Sequence, residues 1–344
     1  MSAQTSRLAA ADPMQSQSRQ LLVRIANLRA WLFLALLLIF FETWSRVAFG
    51  QTFIFAAYNA QSIAIFAVAP LLLALGSTFV IISGGIDLSI GFIMGLAAVV
   101  AAHAANLAGG VMPPFPAMMV AITAGLAVSL APGFVNGWLI SRLNVPPFIG
   151  TLGMFGVARG IAFLLAGGTT VPVSNSWFAA LGNGRVFGVP IVVVIAALFV
   201  LLMHYVLSQT RFGQHTYAIG ASEQAALRAG INVGRHKQKL YLLSAVCAGL
   251  GGVLYAARFT AGAAQAGEPL LLDSIAAVVI GGASLFGGSG TVLGTVAGAL
   301  VIAVIQYGLV FINVEPFWQF VAVGVVIIIS VLVDQTQRKL GGDR

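Results

Sequence analysis

Apolar runs close to membrane-crossing length recur along the chain, separated by short polar breaks. They cover 30–49, 58–82, 90–108, 115–140, 147–166, 189–208, 238–257, 270–286, 291–311 and 317–334. A helix that crosses the hydrocarbon core needs about 20 apolar residues, within a range of about 17–25. Only helices and closed barrels satisfy their backbone groups in lipid, and the two-residue alternation of a barrel strand is not visible in these runs. The pattern therefore predicts an all-α polytopic membrane protein of about ten transmembrane helices. The first run carries Glu42 and Arg46 near its outer end, and the eighth is short and ends at a Gly-Gly pair. Counts from eight to eleven fit the same pattern.

The pattern divides the chain into three segments: a polar N-terminal tail over 1–29, a transmembrane domain over 30–334 and a C-terminal tail over 335–344. The N-terminal tail is rich in Ser, Gln and Ala and carries Arg7, Arg19, Arg24 and Arg29 against Asp12. The first apolar run leads into Glu42, Trp44 and Arg46, not into a small-residue cleavage site, so the run reads as an uncleaved first span. With the N-terminus inside, ten spans put both termini in the cytoplasm. Of the 17 cations, all but Arg46, Arg159, Arg185 and Arg258 then fall on the inner side, as the positive-inside rule requires.

Composition sharpens this. Hydrophobic residues make up 59% of the 344 and charged residues 8%, whereas soluble domains carry about 25% charge. The mean hydropathy is +1.00. The net charge of +8 reads as cationic inner loops, with no nucleic-acid partner implied. The single cysteine, Cys247, excludes an internal disulfide.

Two connections are long. Residues 167–190, on the outer side, are rich in Gly, Asn, Pro and Val around Trp177 and Phe178. Residues 209–238, on the inner side, contain Ala221 to Gly230, a polar, helix-forming stretch stopped by glycine. It either carries function, as long loops often do, or covers the bundle.

The candidate chemistry is sparse. His103, His204, His215 and His236 are scattered, with no Cys or Glu at ligand spacing, so no metal site is expected. Catalytic residues are likewise not expected, since no nucleophile elbow is present. Lysine occurs at 237, 239 and 339 and never follows a glycine-rich loop. The chain thus has no phosphate-binding loop, and any ATP and Mg would be bound by a partner.

Glycines give the next signal. Gly91 and Gly95, Gly156 and Gly160, and the tandem Gly290, Gly294 and Gly298 have the spacing that lets helix backbones touch. The segments 84–91 and 281–288 share Gly-Gly-x-x-Leu-x-x-Gly and each separates two apolar runs. They predict broken helices or tight turns where glycine supplies φ > 0 or close approach. Within the first, Gly84, Gly85, Asp87 and Ser89 are candidates for a translocation path or a helix break. Asp87 either caps the next helix or lines the path. Asn136, Thr151 and Gln306 each bond either a hydroxylated solute or a neighbouring helix. Arg159 pairs or snorkels. Without a chain of intramembrane charges, the pattern suits a neutral polar solute better than an ion-coupled carrier.

Several of these stretches resemble one family. Ser83-Gly-Gly-Ile-Asp-Leu-Ser-Ile-Gly91, Asn136-Gly-Trp-Leu-Ile140, Val145-Pro-Pro-Phe-Ile-Gly-Thr-Leu-Gly153 and Ala158-Arg-Gly160 resemble the permease subunits of ribose-, xylose- and arabinose-type ABC importers. So do Gly220-Ala-Ser-Glu-Gln-Ala-Ala-Leu-Arg-Ala-Gly-Ile-Asn232 and Gly281-Gly-Ala-Ser-Leu-Phe-Gly-Gly-Ser-Gly-Thr-Val-Leu-Gly294, in order from about 52 to about 333. The family's first motif often begins with Thr where Ser83 stands, which keeps the hydroxyl. The resemblance implies the ten-helix permease fold in a bacterial inner membrane and a monosaccharide as solute. It also implies a second permease subunit, in a homodimer, with a cytoplasmic ABC ATPase and a periplasmic sugar-binding protein. By the same resemblance Ala221–Gly230 is the coupling helix that docks on the ATPase, with Ala221, Glu223, Arg228 and Gly230 at its marked positions. Import would then proceed by alternating access. The alternatives are a branched-chain amino acid permease of related layout and an ion-coupled secondary carrier.

Overall fold

The computed structural model describes residues 13–315 and 317–341, with side chains for 28–315 and 317–332. The start of the polar tail, including Arg7, and the final residues up to Arg344 lie outside the described residues. The elements run α1 (Pro13–Phe49), α2 (Ala57–Ile82), α3 (Ile90–Gly109), α4 (Pro114–Arg142) and α5 (Pro147–Ala166). Then come β1 (Val171–Pro172), α6 (Ser176–Asn183), β2 (Arg185–Val186), β3 (Val189–Pro190), α7 (Ile191–Gln209), α8 (Arg211–Ala221) and α9 (Glu223–Arg228). The chain ends with α10 (Val233–Phe259), β4 (Ala261–Gly262), α11 (Glu268–Ile280), α12 (Val292–Phe311) and α13 (Phe317–Gly341).

The protein is a helical polytopic bundle. Among the described residues, eight helices are long and apolar enough to cross a membrane: α1 from Leu28, α2, α3, α4, α5, α7, α10 and α12. A shorter apolar stretch, Phe317–Leu332, lies in α13. The apolar run expected over 270–286 does not form a full span. Its helix, α11, has 13 residues, about 20 Å at 1.5 Å per residue. It stops because Gly282 adopts φ +91 and the chain turns away. At the other extreme, the run expected from 238 begins at Val233, so α10 carries Arg235, Lys237 and Lys239 in its first two turns.

Burial sorts the helices into a centre and a shell. Within their apolar windows, α2 is 83% buried and α3, α10 and α12 are each 72% buried. The corresponding values are 17% for α1, 22% for α5 and α7, and 33% for α4. Helix α10 packs on α2, α3 and α4, while α12 packs on α1, α2 and α11. At the end away from α8 and α9, the 167–190 segment is ordered by local pairing. β1 pairs antiparallel with β4 through Val171 and Gly262, and α6 is capped by the Asn175 side chain accepting from the Phe178 amide. At the same end Glu42 explains its place in an apolar run. Its carboxylate accepts from the Phe53 and Ile54 amides at 2.8 and 3.0 Å, from the Thr52 hydroxyl, and from Arg46 Nε at 2.6 Å. It therefore pins the turn between α1 and α2.

Of the tandem glycines, two act in packing. A Cβ at Gly294 would collide with the Gly281 carbonyl, and one at Gly298 with the Ala277 carbonyl, so α12 and α11 meet backbone to backbone. Gly290 lies before α12 begins, at φ +150, and its crowding is with Ala283 and Ile82 in the turn. Gly91 and Gly95 pack against the backbone of Gly267 and Ala264. Gly156 and Gly160 meet nothing within 4 Å.

These contacts predict that Gly298→Leu, forcing apart two backbones, destabilises the chain by about 3 kcal/mol and removes most of the monodisperse material seen by size exclusion in detergent. Gly160→Leu should leave that profile unchanged.

Candidate functional site

The site is built at the end of the bundle where α2, α8 and α12 converge. Helix α2 stops at Ser83, and Gly84 adopts φ +83, turning the chain into the 83–89 break. The second Gly-Gly segment makes a comparable turn after α11, with Gly282, Gly287 and Gly288 all at positive φ. The two turns are not superposable repeats: the left-handed residue is the first glycine of the pair at Gly84 and the second at Gly282. They touch each other. The Gly288 amide donates to the Ile82 carbonyl at 2.8 Å, and a Cβ at Gly287 would lie 3.0 Å from the Gly84 nitrogen. Gly220, in the last turn of α8, fits into the same seam, where a Cβ would collide with the Ile82 carbonyl. Three backbones thus meet with no side chain between them.

The expected helix over Ala221–Gly230 divides at Ser222. Ala221 closes α8, and Ser222, in extended conformation at φ −163, caps α9 by accepting from the Ala225 amide at 3.2 Å. Glu223 sits in the first turn and Arg228 in the last, which suits the helix dipole at both ends. Gly230 stops the helix at φ +81, with its amide and that of Ile231 returning to the carbonyls of Leu227 and Ala226. From Ala221 to Gly230 every residue is exposed except Ala226, whose side chain sits in a small cluster with Ile219, Val233 and Ile231. Leu227 is 55% exposed. Glu223 reaches back to Lys237 of α10, at 2.7 Å. A cavity of about 300 Å³ lies behind α9, lined by Ser83, Gly84, Gly85, Glu223, Lys237 and Tyr241.

Next to the seam, the structure gathers four of the polar residues singled out in the sequence. Asp87 is 3% exposed. Its Oδ1 accepts from the Ser89 amide at 3.0 Å and the Ser89 hydroxyl at 2.6 Å, and its Oδ2 accepts from the Ser244 hydroxyl at 2.8 Å. Asn136 Nδ2 donates to Ser89 Oγ at 2.8 Å. The Thr151 hydroxyl lies 2.9 Å from the Pro147 carbonyl and 3.3 Å from that of Ile86. The break, α4, α5 and α10 are thereby tied together. Asp87 shapes a turn ahead of α3 and also bridges to α10. Asn136 Oδ1 and the Tyr241 hydroxyl are buried without a hydrogen-bond partner among the described residues, so each can take one more.

Gln306 stands elsewhere. Its Nε2 donates to Asp273 Oδ2 at 2.8 Å, and it lines a cavity of about 570 Å³ with Phe66, Tyr255, Arg258 and Phe259. Arg258 also borders a smaller polar cavity with Tyr58, Gln61, Asn183 and Arg185, at the end of the bundle that carries α6. Its guanidinium donates to Asn183 Oδ1. Among the described residues no cluster of three metal-ligating side chains occurs.

The sequence reading missed Ser244, Tyr241, Gly220 and the Glu223–Lys237 pair. Ser244 carried the signal used for Asn136, a polar residue inside an apolar run. Nothing local marks Gly220 or Lys237, whose partners are distant in the chain.

The family described as branched-chain amino acid transport system / permease component matches residues 59–331. The chain is 38% identical over 266 residues to the ribose import permease protein of Bacillus subtilis, covering 77% of this chain and 80% of that one. It is 38% identical over 279 residues to the galactose/methyl galactoside import permease protein of Escherichia coli, covering 77% and 82%. It is 36% identical over 271 residues to the fructose import permease protein of Rhizobium meliloti, covering 76% and 74%.

The polar network predicts that Ser244→Ala, which strips Asp87 Oδ2 of its donor, costs about 1–3 kcal/mol. The expected result is a lower thermal midpoint in detergent, while Leu201→Ala on the exposed side of α7 leaves the midpoint within error.

Proposed function

We propose, from the premise that the chain belongs to the branched-chain amino acid transport system / permease component family, that it is the membrane permease subunit of an ATP-driven importer of a monosaccharide. The observation that carries the reading is identity of 36–38% over three quarters of the chain to import permeases named for ribose, galactose and fructose. It is a transport subunit of the inner membrane, and hydrolysis of ATP belongs to a separate ATPase. None of these three relatives is named for an amino acid, which favours the sugar branch.

The finer assignments belong to the same proposal and draw support from the geometry. Ten membrane segments are counted by adding α13 and the short α11, which is not a full-length helical span, to the eight long helices, with both termini in the cytoplasm. α8 and α9 then face the cytoplasm, and α6 and the 167–190 segment face the periplasm. Exposed α9 is the element that docks on the ATPase, through Glu223, Leu227 and Arg228. A shift of α9 passes to α8 and, through Gly220, to the Ile82–Gly288 seam, which holds the end of α2 and the α11–α12 turn. The cavity at Gln306, Tyr255, Phe259 and Arg258 opens at the periplasmic end and suits a solute delivered by a binding protein. Its aromatic rings offer apolar faces to sugar carbons, and Arg258 and Gln306 offer donors to hydroxyls. Two such chains enclose the path, in a homodimer. The buried polar side chains at Asp87 hold the break rigid, and they carry no relay of charges suited to an ion-coupled carrier.

Uptake of labelled pentoses, hexoses and leucine in cells with and without the chain tests the class: loss of one monosaccharide is expected, and loss of leucine alone would overturn it. The docking role gives a second prediction. Glu223→Lys should leave the chain inserted, with ATP hydrolysis by its partner no longer stimulated by sugar-loaded binding protein and uptake reduced at least about 10-fold, the effect of losing about 1.4 kcal/mol of coupling. The exchange Glu223→Lys with Lys237→Glu restores the internal pair. If that double variant regains uptake, the glutamate acts by holding α9 and not by docking.

A further inference from the structure

Arg159 lies on α5, and its side chain is exposed. The buried face of that helix includes Gly150, Thr151, Met154, Ala158 and Ala162, so Arg159 lies on the flank of that face, exposed but reaching over the edge of the core. Gly156 and Gly160 beside it are also exposed and meet nothing within 4 Å. The guanidinium carbon sits 5.4 Å from the centre of the Phe92 ring and 5.9 Å from that of Phe163. The ion pairs among the described residues are Arg46–Glu42 and Lys237–Glu223, so no described carboxylate neutralises Arg159.

A lone guanidinium in hydrocarbon is costly unless water or a partner reaches it. Snorkelling does not solve the problem here. The nearer end of α5 is Ala166, about 10 Å along the axis at 1.5 Å per residue. Helical side chains lean towards the helix N-terminus, which carries Arg159 away from that end and towards the middle of the span. Its contact with Phe92, in the first turn of α3, agrees with that direction.

We propose, resting on the sugar-permease reading, that Arg159 lines the water-filled solute path and donates hydrogen bonds to hydroxyl groups of the passing solute. The two phenylalanine rings hold the cation from below, which leaves its fork of N–H donors free for vicinal hydroxyls. Gly156 and Gly160 keep the adjacent helix surface bare, so a sugar ring has room beside the guanidinium.

Arg159→Cys, in the full chain with its native and buried Cys247, tests the aqueous placement without reference to any solute. A membrane-impermeant charged methanethiosulfonate reagent should modify it at least about 10-fold faster than Leu201→Cys on the exposed side of α7; equal rates overturn the placement. The solute contact is tested separately, by uptake at saturating binding protein of a transported monosaccharide and its deoxy analogues. Arg159→Gln should slow the parent sugar about 10-fold, the loss expected for one charge-assisted hydrogen bond, and should slow at least one deoxy analogue much less. Arg159→Lys should recover part of the rate. Equal loss for all solutes, or no loss, overturns the contact. Rapid labelling combined with no transported monosaccharide would instead overturn the sugar reading while leaving the aqueous placement standing.

Discussion

The hydrogen bond from the Gly288 amide to the Ile82 carbonyl fastens the end of α2 to the turn between α11 and α12, far apart in the chain. It forms only because the backbones approach with nothing between them. Gly220, Gly287 and Gly288 each occupy a place where a Cβ would strike or crowd a neighbouring backbone. In a lipid-facing bundle the hydrophobic effect between helices is weak, and association rests on close packing and on polar contacts. The seam uses both. It fixes where α2 ends, where the α11–α12 turn lies and where α8 rests, and the remaining features at that end of the molecule are arranged around it.

Beside the seam, burial sets the terms. Asp87 takes its hydrogen bonds from Ser89 and Ser244, with no cation among them. Three donors on a carboxylate replace part of the water it has lost, and the same bonds tie the 83–89 break to α10. Asn136 extends the network to α4 through Ser89. An apolar replacement would pack the same volume, yet it would not fix the direction in which α3 leaves the break. The partner-free Asn136 Oδ1 and Tyr241 hydroxyl show that the network is not closed among the described residues, so this part of the core accepts a further polar group on a small rearrangement.

Much of the fold was legible in the sequence because membrane helices announce themselves by length and apolarity. The runs from 58, 90, 147 and 291 match α2, α3, α5 and α12 to within about two residues. The run over 270–286 was misjudged because hydropathy does not register backbone conformation: Leu285 and Phe286 are apolar, yet Gly282 has already turned the chain. At the candidate site, Asp87, Ser89, Asn136 and Thr151 could be picked out singly as polar residues in apolar surroundings. That they form one cluster, and that Gln306 does not join it, depends on which helices are neighbours. Periodicity holds no record of that. The glycine repeat was legible as two breaks, but their mutual contact is a property of the folded chain.

Helix α9 is held by other means. It has six residues and buries one side chain, Ala226. Isolated helices of that length are not stable in water, so its shape is imposed from outside: by the Ser222 cap, by the left-handed stop at Gly230 and by the pair with Lys237. An exposed salt bridge contributes at most about 1 kcal/mol, so these restraints set the helix in place without anchoring it deeply. An element held in this way, with Leu227 facing outwards, can be captured by a partner at low cost and displaced with it. The preceding helix α8 has no such freedom at its last turn, because Gly220 is locked into the seam. In the proposed docking role, displacement of α9 would act on the seam as a lever acts on its pivot, and the end of α2 and the α11–α12 turn would be the first parts of the membrane bundle to feel it.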